Sequence, residues 1–282
     1  MTLLDVNGVR LIVHARGVGP ALLLLHGFTG SSATWTPHLA AFEGFTTVAV
    51  DLLGHGGSDT PSTPSRYRME RCVDDLTSLL DSLEIERAAV LGYSMGGRIA
   101  LQFALGAPDR LWALVLESAS PGIEDVAERE DRVLSDNALA NEIERDGVAA
   151  FADRWQTLPL FASQDRLPAA VREELRRQRL RNSPVGLANS LRGAGAGVAE
   201  PVLNRLGEIR IPTLLIAGAL DQKYVALARK MDEALPCARL HIVPEAGHTT
   251  HLEQPDAFDS VVREFLRAYV GAGERKEATP CP

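Results

Sequence analysis

The sequence predicts an α/β fold in which a mostly parallel sheet lies between helices and carries a helical insertion. Short apolar runs alternate with helical patterns along the chain, and this alternation is typical of parallel strands joined by crossover helices. Several of the runs are apolar throughout, as expected for strands buried on both faces of a sheet. One long interval contains helical patterns but no strand pattern, which indicates the insertion.

The apolar runs predict seven strands, at residues 9–14, 21–25, 46–50, 88–91, 113–116, 213–217 and 239–243. Helical patterns predict helices at residues 69–83, 95–107 and 255–269. The first helix has its apolar residues at three- and four-residue spacing, which forms a single apolar stripe. The third begins with Pro255, a residue that suits the first turn of a helix.

The interval from about Ser118 to Ile209 interrupts the alternation of strands and helices. It is too long for an ordinary loop, and its helical patterns lie at residues 124–145, 148–155, 168–180 and 184–191. We therefore predict a helical cap at residues 118–209 and a core formed by residues 1–117 and 210–270. Residues 271–282, with their glycines, prolines and charged residues, are predicted to form a flexible tail.

Composition excludes several classes of function. The net charge of −8 and the pI near 5.4 provide no basic surface for nucleic acid or anionic lipid. No apolar stretch is long enough to span a bilayer and no secretory signal begins the chain, so we expect a cytoplasmic protein with no stable membrane insertion. Three scattered cysteines fit no metal-ligand spacing and no dinucleotide fingerprint occurs, so no metal or organic cofactor is expected. The oligomeric state is not predicted.

Residues 92–96 read Gly-Tyr-Ser-Met-Gly, which matches the G-x-S-x-G nucleophile elbow. They follow a predicted buried strand and precede a predicted helix, which is the context that this motif requires in an α/β-hydrolase fold. The sharp turn lifts the hydroxyl of Ser94 clear of the sheet, and the helix N-terminus that follows favours negative charge. The sequence therefore predicts an α/β-hydrolase fold with Ser94 as its reactive residue.

A serine hydroxyl needs a histidine to accept its proton and a carboxylate to orient that histidine. In this fold both follow later strands, in the order serine, acid, histidine. Asp221 follows the predicted strand 213–217, and His248 follows the strand 239–243, so we predict that these residues complete a catalytic triad. The weaker candidates are His14 and His241 in strands, His38 in a helix, His251 without a preceding glycine turn, and the carboxylates Glu245 and Glu253.

An oxyanion hole is predicted from the segment His-Gly-Phe-Thr-Gly at residues 26–30, which follows the strand where this fold places one half of that site. The main-chain N–H groups of Phe28 and Met95 are then expected to converge on a developing negative charge.

Several motifs together resemble the 2-succinyl-6-hydroxy-2,4-cyclohexadiene-1-carboxylate synthase family, lyases of menaquinone biosynthesis that have the α/β-hydrolase fold. The motifs are Gly-Tyr-Ser-Met-Gly-Gly-Arg at 92–98, the segment 26–30 with Trp35, Glu117, Pro121-Gly122, Gly247-His248, and His-Leu-Glu-Gln-Pro at 251–255. The resemblance extends from about Leu22 to Leu266, and the elbow that ends in Gly-Gly-Arg is its most specific part.

The resemblance implies that a small, multiply anionic cyclohexene is the substrate and that the triad removes a carbon-bound proton, with loss of pyruvate. Arginine forks suit such a substrate because they bind carboxylates through two hydrogen bonds and stay charged. The substrate-binding residues that the resemblance implies are Tyr93, Arg98, Arg132, Trp155 and Arg179. Arg181 competes with Arg179 for its position.

Two other functions remain open at this stage. Ser-Ala-Ser at residues 118–120 stands where the family more often has glycines, and related enzymes with the same elbow hydrolyse esters or carbon-carbon bonds. The main alternative is therefore a serine hydrolase of a small carboxylated ester or diketone, in which Ser94 is a covalent nucleophile. A ligand-binding protein on a retained hydrolase scaffold is a third possibility, against which the complete triad argues.

Overall fold

The computed structural model describes residues 1–273, so most of the predicted tail, residues 274–282, lies outside the described residues. Residues 271–273 do not belong to a tail as predicted, because they continue the last helix. Within residues 1–273, no helix combines the length and apolar character needed to cross a bilayer.

An eight-stranded sheet forms the centre of the molecule, in the order β1-β2-β4-β3-β5-β6-β7-β8. The strands are β1 Thr2–Val6, β2 Val9–Arg16, β3 Ala21–Leu25, β4 Thr46–Val50, β5 Ala88–Tyr93, β6 Leu111–Glu117, β7 Thr213–Gly218 and β8 Ala238–Val243. The pairs from β4 to β8 are parallel, whereas β1 and β2 join the edge in antiparallel pairs. The predicted α/β-hydrolase fold is confirmed.

All seven predicted strands are present, and β1 is a strand that the analysis missed. It pairs with β2 through a tight turn in which Asn7 and Gly8 both have positive φ angles, 50° and 79°. Asn-Gly is the strongest short-range signal for such a hairpin turn, so the sequence did contain a signal for β1.

Eight α-helices surround the sheet or form the cap within the described residues. They are α1 Met69–Ser82, α2 Met95–Gly106, α3 Val126–Trp155, α4 Ala169–Leu180, α5 Pro184–Ala194, α6 Gln222–Ala234, α7 Thr250–Glu253 and α8 Pro255–Gly273. The helices predicted at 124–145 and 148–155 are one helix, α3, kinked at Gly147, where φ is 80°. Helix α6 was not predicted from the sequence. Its buried residues Val225, Ala228 and Met231 recur at three-residue spacing, which is a helical pattern.

The apolar core lies on both faces of the sheet. On β3, Leu23 and Leu25 belong to the cluster that includes α1 and α2, whereas Leu22 and Leu24 belong to the cluster on the other face, which includes α8. This division follows from the alternation of side chains along a strand. A third cluster joins α3 to α5 and contains Ile143, Phe151 and Leu187. Helices α3, α4 and α5 all fall within the interval 118–209.

Candidate active site

Ser94 lies in a strained turn between β5 and α2. Its φ and ψ angles are 51° and −105°, a combination that costs a non-glycine residue about 1–3 kcal/mol. Two backbone hydrogen bonds hold this turn: Ser94 N donates to the carbonyl of Glu117 at 2.8 Å, and Arg98 N donates to the carbonyl of Ser94 at 3.1 Å. The turn therefore presents the serine at the carboxyl edge of the sheet.

Gly96 allows the start of α2 to approach β3 closely. A Cβ atom at this position would lie 2.3 Å from the carbonyl oxygen of Leu25, and the backbone there cannot move without disturbing the sheet. We expect Gly96→Ala to lower the free energy of unfolding by about 1–3 kcal/mol or more. Urea denaturation tests this expectation, with Gly207→Ala as the control because a Cβ at Gly207 meets nothing within 4 Å. Equal stability of the two variants would contradict it.

Ser94, His248 and Asp221 form one hydrogen-bonded chain. His248 Nε2 lies 3.1 Å from Ser94 Oγ, and His248 Nδ1 lies 2.7 Å from Asp221 Oδ2. His248 and Asp221 are 1% and 9% exposed. Since an ionised carboxylate only accepts hydrogen bonds, Nδ1 carries the proton toward Asp221 and Nε2 is left to accept from the serine hydroxyl. This geometry suits transfer of a proton from Ser94 to His248.

The loops after three parallel strands bring these residues together. Ser94 follows β5, Asp221 follows β7 and also accepts a hydrogen bond from Tyr224 N at 3.3 Å, and His248 follows β8. Because the carboxyl ends of parallel strands meet at one edge, residues 154 positions apart become neighbours there.

Aromatic rings hold the imidazole of His248 in place. The ring of Tyr224 contacts it edge-on at a centroid distance of 4.4 Å, and the rings of Tyr93 and Phe161 lie at 5.6 Å and 6.0 Å. Tyr93 is a predicted site residue, whereas Tyr224 and Phe161 were not predicted from the sequence. A signal for Tyr224 was its place three residues after Asp221, in the first turn of α6, whereas Phe161 lies in a 3₁₀ helix that no sequence pattern indicated.

Glu117 anchors the segment that follows His248. It is fully buried at the end of β6 and accepts hydrogen bonds from Thr250 Oγ1 at 2.6 Å and from the backbone N–H of His251 at 3.0 Å. His251 Nδ1 also lies 2.8 Å from a Glu117 oxygen. Burial alone would raise the pKa of Glu117, but the charge and hydrogen bonds of His251, with that of Thr250, outweigh it and hold the pKa below its ordinary value.

Replacing Glu117 by Gln should destabilise the fold in a pH-dependent way. A group whose pKa is lowered in the folded state adds stability above its unfolded pKa, near 4.5, and loses it as the pH falls through the lower folded value. We expect the variant to lose about 1.5–3 kcal/mol at neutral pH, as for hydrogen bonds to a charged group, and the difference from the wild type to shrink below pH 4.5. Urea denaturation across this range measures both free energies, and a constant difference would disagree with the assignment.

Phe28 and Met95 are the two residues of the predicted oxyanion hole, which stays a prediction. Residues 27–30 form a turn in which Gly30 N donates to the carbonyl of Gly27 at 3.0 Å and Thr29 has a φ of 70°. Such a turn leaves the N–H of Phe28 outside its hydrogen bond, and Met95 N, at the start of α2, has no acceptor within the helix. Both residues line the same cavity as Ser94.

A cavity of about 1060 Å³ opens above Ser94, between the sheet edge and the cap. Four of the predicted substrate-binding residues line it, namely Tyr93, Arg98, Arg132 and Trp155. The cavity is large enough for a substrate of drug size.

Arg98 and Arg132 differ in their partners. The only side-chain hydrogen bond of Arg98 within the described residues reaches the carbonyl of Ala194 at 3.4 Å, while its buried Nε has no partner. Burial lowers the pKa of Arg98, although an arginine remains charged at any working pH. Arg132 Nε donates to the buried Asp136 at 2.8 Å, so Asp136 orients its guanidinium in the cavity wall.

Arg179, a predicted substrate-binding residue, does not line the large cavity above Ser94. It is 7% exposed and lines a separate small cavity of about 50 Å³ together with Tyr93. Its guanidinium lies 5.7 Å from the ring centre of Phe161, a residue that lines both cavities. Arg181 is exposed and lines neither cavity, so Arg179 is the nearer of the two predicted candidates.

Helix α6, which was not predicted from the sequence, contributes further residues to the wall of the large cavity. Lys223, Tyr224, Leu227 and Lys230 all line the cavity. Within residues 1–273, no group of three or more His, Cys, Asp and Glu side chains is arranged to hold a metal ion.

Comparisons with known proteins place these features in a wider group. A family model described as the alpha/beta hydrolase fold matches residues 20–255. A Bacillus subtilis (strain 168) protein, provisionally named a 2-succinyl-6-hydroxy-2,4-cyclohexadiene-1-carboxylate synthase, is 44% identical over 92% of this chain and 96% of its own. The synthase of that name from Serratia proteamaculans (strain 568) is 34% identical over 88% of this chain and 93% of its own.

A solved structure gives the same picture. The structure of MenH from S. aureus superposes with a TM-score of 0.87 at 35% identity, and the match covers 92% of this chain and 98% of that one. The similarity therefore extends over both the sheet and the cap interval.

Proposed function

The chain belongs to the 2-succinyl-6-hydroxy-2,4-cyclohexadiene-1-carboxylate synthase family of α/β-hydrolase-fold enzymes, and we propose that it catalyses that reaction in menaquinone biosynthesis. The substrate is 2-succinyl-5-enolpyruvyl-6-hydroxy-3-cyclohexene-1-carboxylate, which loses pyruvate. The 44% identity to the B. subtilis relative over nearly the whole chain supports this assignment. The observation that carries it is the hydrogen-bonded series Ser94–His248–Asp221, which lies beneath a cavity that Arg98 and Arg132 line.

The substrate's structure explains why this site suits it. Its succinyl arm, ring carboxylate and enolpyruvyl arm each carry a carboxylate, so the molecule is a trianion at neutral pH. Arg98 and Arg132 offer guanidinium groups that hold carboxylates through paired hydrogen bonds. Trp155 and Tyr93 give the same cavity apolar surface for the cyclohexene ring.

The reaction begins with removal of the proton on ring carbon C2, which is acidic because it adjoins the succinyl ketone. Ser94 Oγ takes this proton as its own hydroxyl proton passes to His248 Nε2, and Asp221 stabilises the imidazolium that forms. The ketone oxygen gains negative charge, and the N–H groups of Phe28 and Met95 stabilise it. No acyl-enzyme forms in this sequence.

The electron pair from the C2–H bond then completes the elimination. It forms the C2–C3 double bond, the original C3–C4 double bond shifts to C4–C5, and the C5–O bond breaks. Pyruvate leaves as its enolate and takes up one proton on carbon to become pyruvate. His248 Nε2 can supply this proton, since it holds the former hydroxyl proton of Ser94 while the C2 proton stays on Ser94 Oγ. The ring is left as the conjugated 2,4-diene, so atoms and charge balance.

The direct test is a coupled assay for pyruvate release from this substrate by the purified protein. We expect rapid, enzyme-dependent release of one pyruvate for each diene formed, followed by the diene's ultraviolet absorbance. The competing hydrolase function predicts instead rapid turnover of a short p-nitrophenyl ester, with an acyl-enzyme at Ser94 that a fluorophosphonate probe blocks. Ester turnover without pyruvate release would overturn the proposal in favour of the hydrolase.

A further inference from the structure

One face of α6 forms a cationic wall of the cavity. Lys223, Tyr224, Leu227 and Lys230 line it, at spacings of one, four and seven residues that place them on a single side of the helix. The sequence contains only three lysines, against 26 arginines among its 29 basic residues. Two of these three lysines therefore lie on the wall of one cavity.

The two lysines are unpaired cations in the part of the chain that the structure describes. Neither Lys223 nor Lys230 has an ion pair within residues 1–273. Two arginines of the cavity wall are paired: Arg132 contacts Asp136 at 2.8 Å, and Arg154 contacts Glu142 at 3.1 Å. Arg98, which we assign to a substrate carboxylate, has no ion pair within the described residues. Two unpaired cations on the wall of one cavity give it a positive surface that attracts an anion.

The two lysines lie at different distances from the reaction centre along α6. Lys223 is two residues from Asp221, and its neighbour Tyr224 packs on His248 with ring centres 4.4 Å apart. Lys230 is seven residues further along the helix, which at 1.5 Å per residue is about 10 Å. Both side chains are exposed, as expected at the rim of an opening.

The charges around the cavity are unevenly distributed. Glu124, Asp125 and Glu128, at the start of α3, also line it, and none of the three has an ion pair within the described residues. A substrate trianion that enters the cavity is repelled from this acidic side and attracted toward α6. Such electrostatic complementarity orients the substrate in the cavity.

We infer that Lys223 and Lys230 bind the carboxylate of the substrate's enolpyruvyl arm and guide the pyruvate out, an inference that rests on the proposed function. C2 must contact Ser94 for its proton to be removed. C5 lies opposite C2 on the six-membered ring, so the leaving arm points away from the serine into the cavity. The α6 face starts beside Asp221 and leads away from it along the cavity wall, and a lysine is a flexible point charge that can follow a departing anion.

The test uses Lys223→Ala, Lys230→Ala and the double variant in the pyruvate-release assay. We expect kcat/KM to fall about tenfold in each single variant, as for loss of one charge-assisted hydrogen bond, and by more in the double variant. Inhibition by pyruvate should weaken in parallel, while inhibition by succinate, which mimics the other arm, should not change. Lys223→Arg should recover part of the loss because it keeps the charge.

Arg229→Ala is the matched control, because Arg229 is an exposed cation of the same helix that does not line the cavity. It should retain wild-type kinetics and should show the same decline of kcat/KM with added salt as the wild type. The double lysine variant should show a weaker decline, since screened attraction is what salt removes.

The outcomes separate this inference from the function on which it rests. An active wild type with a double variant that matches Arg229→Ala would overturn the role of the lysines alone. Weakened inhibition by succinate with unchanged inhibition by pyruvate would overturn the assignment to the enolpyruvyl arm. A wild type that releases no pyruvate would overturn both the proposed function and this inference.

Discussion

Ser94→Ala and His248→Ala should each lower kcat for pyruvate release by about a thousandfold or more, since the members of such a chain act as a unit. Ser94 Oγ is the atom that we place against the C2 proton, and His248 Nε2, 3.1 Å away, is the group that makes the serine basic. Without either one, proton removal from carbon has no base in position. Steady-state kinetics of the purified variants measure the effect.

The Ser94→Ala/His248→Ala double variant provides the internal control for this expectation. If Ser94 and His248 transfer one proton in a single relay, removing both should cost little more than removing one. Losses that multiply in the double variant would mean that the two side chains act in separate steps. The thermal unfolding midpoint of each variant should stay close to that of the wild type, which would exclude loss of the fold as the cause.

Arg98→Ala should lower kcat/KM by about a hundredfold, the upper part of the range for removing a charged, hydrogen-bonded contact. The side chain lies one turn into α2 from Ser94 and lines the cavity, and its buried Nε has no partner within the described residues. Burial of a charge with so few contacts is unfavourable for folding, so its place is better explained by a bound carboxylate. If Arg98 binds the substrate carboxylate more strongly in the transition state than in the ground state, the variant loses kcat as well as affinity for the substrate.

Arg98→Lys serves as the matched control, because a lysine keeps the charge but cannot form the bidentate contact. It should recover only part of the lost activity. Urea denaturation should show that neither variant is much less stable than the wild type. Unchanged kinetics in Arg98→Ala would remove the main support for a lyase acting on an anionic substrate.

The sequence predicted the sheet well where burial left a strong pattern. Strands β3 and β5 are apolar throughout because both faces are covered, so they could be recognised without their neighbours. Strand β1 is mostly exposed at the sheet edge, and Thr2 and Asp5 interrupt its apolar residues, so it lacks the continuous apolar run of a buried strand. Only the Asn-Gly turn that follows it indicated a hairpin.

The candidate site was predictable to the extent that its residues sit at fixed points of the fold. Ser94, Asp221 and His248 each follow a strand, so the order of strands placed them. Cap residues have no such constraint. Arg179 lies against Phe161 and lines the small cavity rather than the main one, because its position depends on how α4 packs against α3, which no local pattern encodes.

The central claim is that the Ser94 relay removes a proton from carbon instead of attacking a carbonyl. A single-turnover measurement of pyruvate formation from substrate that carries deuterium at C2 tests it most directly. Under these conditions product release does not limit the observed rate, so the chemical step is visible. We predict slower release from the deuterated substrate than from the ordinary one. Equal rates, together with an acyl-enzyme trapped on Ser94, would contradict the claim.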